Sequence, residues 1–216
     1  MAEFKQMLLG RTLPRQHAKY FGFTLALFVM GCILSQIFYP GGYSITEYYI
    51  SNQGWIAENP MGCWFFIFGT GIAGILLIPH FLYMHRLLLP TAKFFVYLST
   101  LSSIAGSIGL SMVGFVTKDE VTDSIHDFAA DLAFIGLGIG AGFSLLVLIR
   151  KICLKEDWPN LEGFLILFTG TLGMGLALVL VDDNQLQQWM GLFSMLTWLI
   201  GTFILTLKSD PKQRTN

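Results

Sequence analysis

The residues best suited to chemistry lie in one short segment near the middle of the chain. Residues 122–134 read TDSIHDFAADLAF and contain His126 and, after it, the carboxylates Asp127 and Asp131. On a helix, Asp131 lies one turn, or about 6 Å, deeper than Asp127. A carboxylate within an apolar helix is costly and is by default a functional-site hypothesis. The simpler alternative is a hydrogen bond from Asp131 to a neighbouring serine or loop.

The neighbours of Asp131 also have structural explanations. Ser124 and Asp127 have the S-x-x-D spacing of a capping box, which would place Asp127 in the first turn of the helix. His126 points about 140° away from Asp131 around a helix that turns about 100° per residue. A hydrogen-bonding role for His126 is therefore the simpler expectation, and a metal-ligand role stays as the alternative.

A second set of polar residues lies in the segment PGGYSITEYYISNQGWIAENP, residues 40–60. Long connections without helix or strand pattern are usually functional or disordered. The aromatic residues and the turn-forming residues at both ends favour a folded loop. Its polar candidates are Ser51, Asn52, Glu58 and Asn59. A third feature is the adjacent pair Asp182 and Asp183, which needs a cation, a basic partner or full hydration at a helix C-terminus.

The elements that must position these residues are apolar helices. The chain has 216 residues, of which 54% are hydrophobic and 12% charged, whereas soluble domains average about 25% charged. About 20 apolar residues cross a bilayer as a helix. Such stretches occur at about 20–39, 61–84, 94–116, 128–149, 161–181 and 189–207. We predict an all-α, polytopic transmembrane bundle of six helices, forming a single domain over residues 1–216.

Basic residues set the expected orientation, since cytoplasmic loops carry an excess of lysine and arginine. With the N-terminus and C-terminus cytoplasmic, only Lys118 of the 13 basic residues falls outside. The first apolar stretch is expected to be a signal anchor. The predicted location is a membrane, crossed several times, and the cell membrane if the source is prokaryotic. The inner basic residues are Lys5, Arg11, Arg15, Lys19, Arg86, Lys93, Arg150, Lys151, Lys155, Lys208, Lys212 and Arg214.

This orientation collects the polar candidates on the outer side. We expect an outer pocket that binds a cation, or the polar head of a lipid through hydroxyl and amide groups. No catalytic residue, resident metal or cofactor is assigned. The predicted pocket residues are Ser51, Asn52, Glu58, Asn59, His126, Asp131, Asp182 and Asp183.

Small residues at four-residue spacing predict how the helices pack, because they let helix backbones approach closely in lipid. The third stretch carries a serine stripe, and the fourth carries Gly138 and Gly142 with Gly136 and Gly140 beside them. A solute pathway along the serines is the alternative. The stripe comprises Ser99, Ser103, Ser107 and Ser111.

Two motifs resemble known membrane proteins. The loop sequence Ile50-Ser-Asn-Gln-Gly54 and the later IHDFAADLAF are similar to the six-helix family catalogued as domain of unknown function 998. A more distant likeness is to the Frag/DRAM/Sfk family of endomembrane proteins, which typically has Asp at the position of Asn52. The resemblance implies a six-helix membrane architecture. The closer family implies no activity, and the more distant one is linked to lipid-anchor maturation and autophagy regulation.

Three functions fit these observations. The first is a non-enzymatic protein that binds a membrane lipid, or a membrane-protein partner or second copy, at the outer pocket. The second is a metal-dependent lipid hydrolase that uses His126 and carboxylates, although zinc sites generally want three nitrogen- or sulfur-rich protein ligands. The third is a small transporter. A net charge of −1 does not indicate nucleic-acid binding.

Overall fold

The computed structural model describes residues 2–117, 122–154, 161–180 and 184–208. These residues form helices and connecting loops without β-strands, so the all-α prediction is confirmed. A 3₁₀ helix, Ile50–Gly54, lies in the first long loop. The α-helices are α1 (Ala2–Leu8), α2 (Pro14–Ile37), α3 (Cys63–Leu88), α4 (Lys93–Phe115), α5 (Asp123–Cys153), α6 (Leu161–Leu180) and α7 (Asn184–Lys208).

Five of these helices are long and apolar enough to cross a membrane, judged by length and composition within the described residues. Many large apolar side chains point outward from them, among them Phe23, Phe94 and Phe128. This exposure is expected of helices that face hydrocarbon rather than water. The spanning helices are α2, α3, α4, α5 and, over Gln185–Leu207, α7. The helix α6 is apolar as well over Glu162–Ala177.

The helices pack mainly against their neighbours in sequence. Helix α3 lies between α2 and α4, and α4 lies between α3 and α5. Helices α6 and α7 form a separate hairpin, and α7 returns to contact α2. Few residues of α5 and α6 approach one another. The α6–α7 hairpin therefore closes the bundle but leaves α5 and α6 loosely joined.

Close approach at glycines explains the tight pairs. A Cβ on Gly31 of α2 would lie 2.8 Å from the Cα of Gly69 on α3, and one on Gly170 of α6 would lie 2.3 Å from the backbone nitrogen of Trp198 on α7. Real Cβ atoms do not make such contacts, so the helix backbones meet where a side chain is absent.

The sequence predicts that the glycines of α5 all lie at a helix contact, and only some of them do. A Cβ on Gly138 or Gly142 would have no neighbour within 4 Å, so these two do not form the packing face. A Cβ on Gly136 would instead lie 2.6 Å from the backbone nitrogen of Gly106 on α4. Two residues along a helix rotate a side chain by about 200°, so Gly138 and Gly142 lie on the face opposite Gly136 and Gly140. The face that carries Gly136 and Gly140 is the one that packs on α4.

The serines of α4 join neighbouring helices. Ser99 Oγ donates to the carbonyl of Gly140 at 2.8 Å, and Ser111 Oγ donates to the carbonyl of Gly71 at 2.8 Å. Ser103 and Ser107, between them, are buried. The stripe is thus part of two packing surfaces, one against α5 and one against α3.

The capping-box prediction at the start of α5 is wrong. The helix begins at Asp123, one residue before Ser124, and Thr122 is its N-cap without a side-chain capping bond. The Thr122 hydroxyl donates instead to the carbonyl of Thr117. Ser124 therefore lies inside the first turn, and Asp127 is exposed.

Substituting glycines two residues apart on α5 tests the packing face. We expect Gly136→Ala to lower the free energy of unfolding by about 1–3 kcal/mol, because the added methyl group forces the α4 and α5 backbones apart. The matched control, Gly138→Ala, has open space and should be neutral or stabilising by up to about 1 kcal/mol. Unfolding in detergent micelles measures both, and equal losses in the two variants would contradict this packing.

Candidate functional site

The first long loop folds against the ends of the helices and is not an open pocket. All five residues of the 3₁₀ helix Ile50–Gly54 are buried. This short helix contacts α2, α3 and α7. The loop therefore closes the end of the bundle at which α2 ends and α3 begins.

Asn59 is the centre of the hydrogen bonds that hold this loop. Its side chain is fully buried. Nδ2 faces the carbonyl of Gln53 at 2.9 Å, the hydroxyl of Ser35 at 3.0 Å and the Ser35 carbonyl at 3.2 Å. Oδ1 accepts the backbone N–H of Gly62 at 3.0 Å. The amide of Asn59 is thus used in joining the loop to α2 and to the start of α3.

Glu58 accepts two hydrogen bonds through its Oε2 atom. Asn52 Nδ2 and the phenol of Tyr39 each donate to it at 2.8 Å. Burial, the hydrogen bond to Glu58 and the charge of that carboxylate raise the pKa of Tyr39 well above its usual range. Tyr39 therefore stays a neutral donor at physiological pH, which keeps Glu58 joined to the segment that directly follows α2.

Aromatic donors fix the other half of the loop. The hydroxyl of Tyr43 donates to the carbonyl of Tyr49 at 2.7 Å. Trp189 Nε1, near the start of α7, donates to the carbonyl of Tyr48 at 3.2 Å. Burial raises the pKa of the Tyr43 phenol, so this donor also stays protonated. The loop thereby connects the α6–α7 hairpin to the rest of the bundle.

Oδ1 of Asn52, a buried polar atom of this loop, has no hydrogen-bond partner. The amide of Gln53 instead faces the phenol of Tyr43, and the hydroxyl of Thr70 on α3 faces the thiol of Cys32 on α2. An unpaired buried polar atom costs about 1–3 kcal/mol. The end of the bundle that carries this loop therefore retains, at Asn52, a hydrogen-bond acceptor that the loop itself does not use.

His126 is buried, at 2% exposure, close to the start of α5. Its Nδ1 lies 2.7 Å from the carbonyl of Val116, so Nδ1 carries the proton and donates. This contact joins the start of α5 to the segment that follows α4. In the described part of the chain, no group of three or more His, Cys, Asp or Glu side chains could hold a metal ion.

Asp131 lies in a cleft between α5 and the α6–α7 hairpin. Its side chain is exposed, and no hydrogen bond joins it to a serine of α4 or to the loop. The cleft has a volume of about 160 Å³. Its lining residues are Ala130, Asp131, Phe134, Ile135, Met174, Ala177, Gln187, Gln188 and Gly191.

An apolar chamber of about 40 Å³ adjoins this cleft inside the bundle. Ala130, Phe134 and Gln188 line both spaces. Ser51 of the loop and Thr70 of α3 are the other polar residues of the chamber wall, which is otherwise apolar. We call the two spaces together the outer cavity, after the predicted topology, which places this end of the bundle on the outer side. The apolar side chains of the chamber are Phe28, Ile50, Phe66, Leu110, Val113, Ala133, Leu192 and Met195.

The structure separates the predicted site residues into groups. Asn52, Glu58 and Asn59 belong to the hydrogen-bonded loop, and Ser51 and Asp131 line the outer cavity. His126 lines neither space of that cavity. The predicted residues Asp182 and Asp183 lie outside the described residues.

A pair of histidines at the opposite end of the bundle was missed by sequence reasoning. His17 on α2 and His80 on α3 are both fully buried, and their rings lie 3.1 Å apart between Nε2 and Nδ1. Phe21 stacks on His80 and Tyr83 stacks on His17. The two histidines are 63 positions apart, so no local motif joins them. The available signal was that His80 follows Pro79 within an apolar helix, where an ionisable residue is uncommon.

Comparisons with known proteins give no match to a family model, to a curated protein or to a solved structure.

Replacing Asn59 tests the role of the loop network. We expect Asn59→Ala to destabilise the fold by about 1–3 kcal/mol, because it leaves buried groups at Ser35, Gln53 and Gly62 without their partner. The control is Thr46→Ala, at an exposed hydroxyl of the same loop, which should change stability by less than about 0.5 kcal/mol. Thermal unfolding in micelles measures both, and an unchanged midpoint for Asn59→Ala would refute the structural role.

Proposed function

We propose that this protein binds an amphiphilic membrane lipid, with the polar head in the outer cleft and apolar atoms against the adjoining chamber. The observation that carries the proposal is the wall shared by the two spaces at Ala130, Phe134 and Gln188. A carboxylate and amides on one side of this wall and hydrocarbon on the other match the two ends of an amphiphile.

The charge of the cleft favours a headgroup that carries an amine. Asp131 supplies a carboxylate that no described side chain neutralises, and charge-assisted hydrogen bonds to a cation are stronger than neutral ones. Gln188 adds an amide at the boundary with the chamber, where it can reach a headgroup hydroxyl or ester. Gln187 is also in the cleft wall, and its Nε2 donates to the carbonyl of Ala177 at 3.3 Å.

The packing of the helices supports access from the bilayer. Contacts between α5 and α6 are sparse compared with those inside each hairpin. The cleft lies between these elements, with Ile135 of α5 exposed at its margin. A lipid can therefore enter sideways between α5 and α6 without breaking glycine-mediated helix contacts.

The proposal includes the finer topology, with α6 as a sixth span and both chain ends cytoplasmic. Basic residues support it, since Arg86 and Lys93 flank the α3–α4 connection, and Arg150 and Lys151 lie in the last turns of α5. An excess of such residues marks cytoplasmic loops. The outer cavity then faces the opposite side. The metal-dependent hydrolase and the transporter have no comparable supporting observation among the described residues.

A lipid-retention experiment tests the binding site. We expect native mass spectrometry of protein taken from nanodiscs to show a retained ethanolamine lipid in preference to a glycerol lipid. Asp131→Asn should reduce retention by up to about fivefold, because an ion pair at an exposed carboxylate contributes about 0.2–1 kcal/mol. Asp127→Asn is the matched control, since this exposed carboxylate lies one turn away on the same helix and outside the cleft.

Two outcomes would contradict the proposed site. Equal retention of ethanolamine and glycerol lipids would remove the role of the Asp131 charge. Equal loss in Asp127→Asn and Asp131→Asn would show that surface charge, rather than the cleft, controls binding.

Reporter fusions test the topology. We expect a green fluorescent protein fused after Asn216 to fluoresce in cells, because this reporter folds in the cytoplasm and not after export in unfolded form. A secreted phosphatase at the same position should be inactive. A fusion within the 40–60 loop serves as the reciprocal control: there the phosphatase should be active and the green fluorescent protein should not fluoresce. An active phosphatase at the C-terminus would show an odd number of spans or an inverted orientation.

A further inference from the structure

The buried histidines belong to a longer chain of hydrogen bonds. Thr12 Oγ1 lies 3.3 Å from His17 Nδ1, and His17 Nε2 lies 3.1 Å from His80 Nδ1. His80 Nε2 then lies 3.0 Å from Thr202 Oγ1 on α7. The chain therefore joins the segment before α2 to α3 and α7 through the interior of the bundle.

The direction of this chain follows from its last member. Thr202 Oγ1 donates its single proton to the carbonyl of Leu199 at 2.7 Å, so it must accept from His80 Nε2–H. In a neutral imidazole the other nitrogen is then an acceptor. His80 Nδ1 accordingly accepts from His17 Nε2–H, and His17 Nδ1 accepts from the hydroxyl of Thr12. One arrangement of protons thus satisfies every member with both rings neutral.

Thr202 also lines a small cavity between α3, α4, α5 and α7. The cavity has a volume of about 20 Å³, and about 10–15 Å³ suffices for one water molecule. Ser103 of α4 and Trp198 of α7 are in its wall and are each 1% exposed. The hydroxyl of Ser103 and the indole N–H of Trp198 have no hydrogen-bond partner.

The other hydroxyls of the cavity offer acceptors rather than donors. Thr100 donates to the carbonyl of Val96, and Ser144 donates to the carbonyl of Ala141. Thr202 is likewise occupied as a donor. Ser99 of the same wall donates to the carbonyl of Gly140, and His85 Nδ1 lies 2.9 Å from Thr100 Oγ1. The wall thus presents the N–H of Trp198, the imidazole of His85 and several hydroxyl lone pairs. A molecule that both accepts and donates is needed to satisfy such a wall.

We propose that this inner cavity binds one water molecule, which accepts from Trp198, bonds to Ser103 and extends the histidine chain to α4. Its size admits a single water, and its wall offers the two to four polar partners that a buried water requires. The water and the chain together form one polar network across α2, α3, α4 and α7. This network opposes separation of α7 from the other helices at the end of the bundle opposite the outer cavity.

Stability and spectroscopy together test the site. We expect Ser103→Ala to lower the melting temperature by about 2–4 °C, the shift that the loss of one net hydrogen bond causes in a chain of this size. The matched control is Ser107→Ala, one turn along α4, since the Ser107 hydroxyl donates to the carbonyl of Ser103 within its own helix. Its shift should be smaller.

The second measurement detects the water itself. In ¹⁵N-labelled protein in micelles, the indole N–H of Trp198, identified by its loss in Trp198→Phe, should show cross-relaxation with water. This signal should persist in Ser103→Ala, because the water keeps its bond to Trp198. If Ser103→Ala raises the melting temperature, the hydroxyl was unpaired in a dry cavity and the proposal fails. Absence of the water signal in the unsubstituted protein overturns it equally, whatever the melting temperatures.

Discussion

Backbone contact between helices at glycine is the constraint on which the rest of this structure depends. Lipid tails are as apolar as leucine, so helices in a bilayer gain little by burying hydrocarbon and associate through close packing. In this protein the close contacts occur between α2 and α3 at Gly31 and Gly69, between α3 and α4 at Gly74, between α4 and α5 at Gly106 and Gly136, and between α6 and α7 at Gly170. They divide the chain into a four-helix layer and a separate hairpin.

The boundary between these two parts is where the outer cavity forms. Gly138 and Gly142 of α5 and Gly175 of α6 have no neighbours near an added Cβ, so α5 and α6 lack the contacts that join the other pairs. Asp131 lies at this boundary, where its carboxylate is exposed without destabilising a packed core. A binding site between loosely joined helices costs less stability than one opened inside a tight pair, because the contacts that it displaces are few.

The hairpin is held to the layer by polar contacts at its two ends. At the end closed by the 40–60 loop, Trp189 donates to the carbonyl of Tyr48. Towards the opposite end, Thr202 accepts from His80. Hydrogen bonds between transmembrane helices average below about 1 kcal/mol each, so they position the hairpin without locking it. Such a joint suits the proposed entry of a lipid between α5 and α6.

The sequence by itself determined the helical class, because long apolar stretches leave a bilayer-crossing helix as the only way to satisfy the backbone. It also marked the loop over residues 40–60 as folded and Asp131 as a polar residue on an apolar helix. The resemblance to an uncharacterised six-helix family stays a prediction.

Only the tertiary structure decided which polar residues meet. Asn59 was predicted as a ligand-binding residue, yet its amide is used by Ser35, Gln53 and Gly62. His17 and His80 are 63 positions apart and became neighbours only through the packing of α2 on α3. Local spacing specifies one helix face, whereas contacts between distant residues depend on the rotation and register of whole helices, which small residues set collectively.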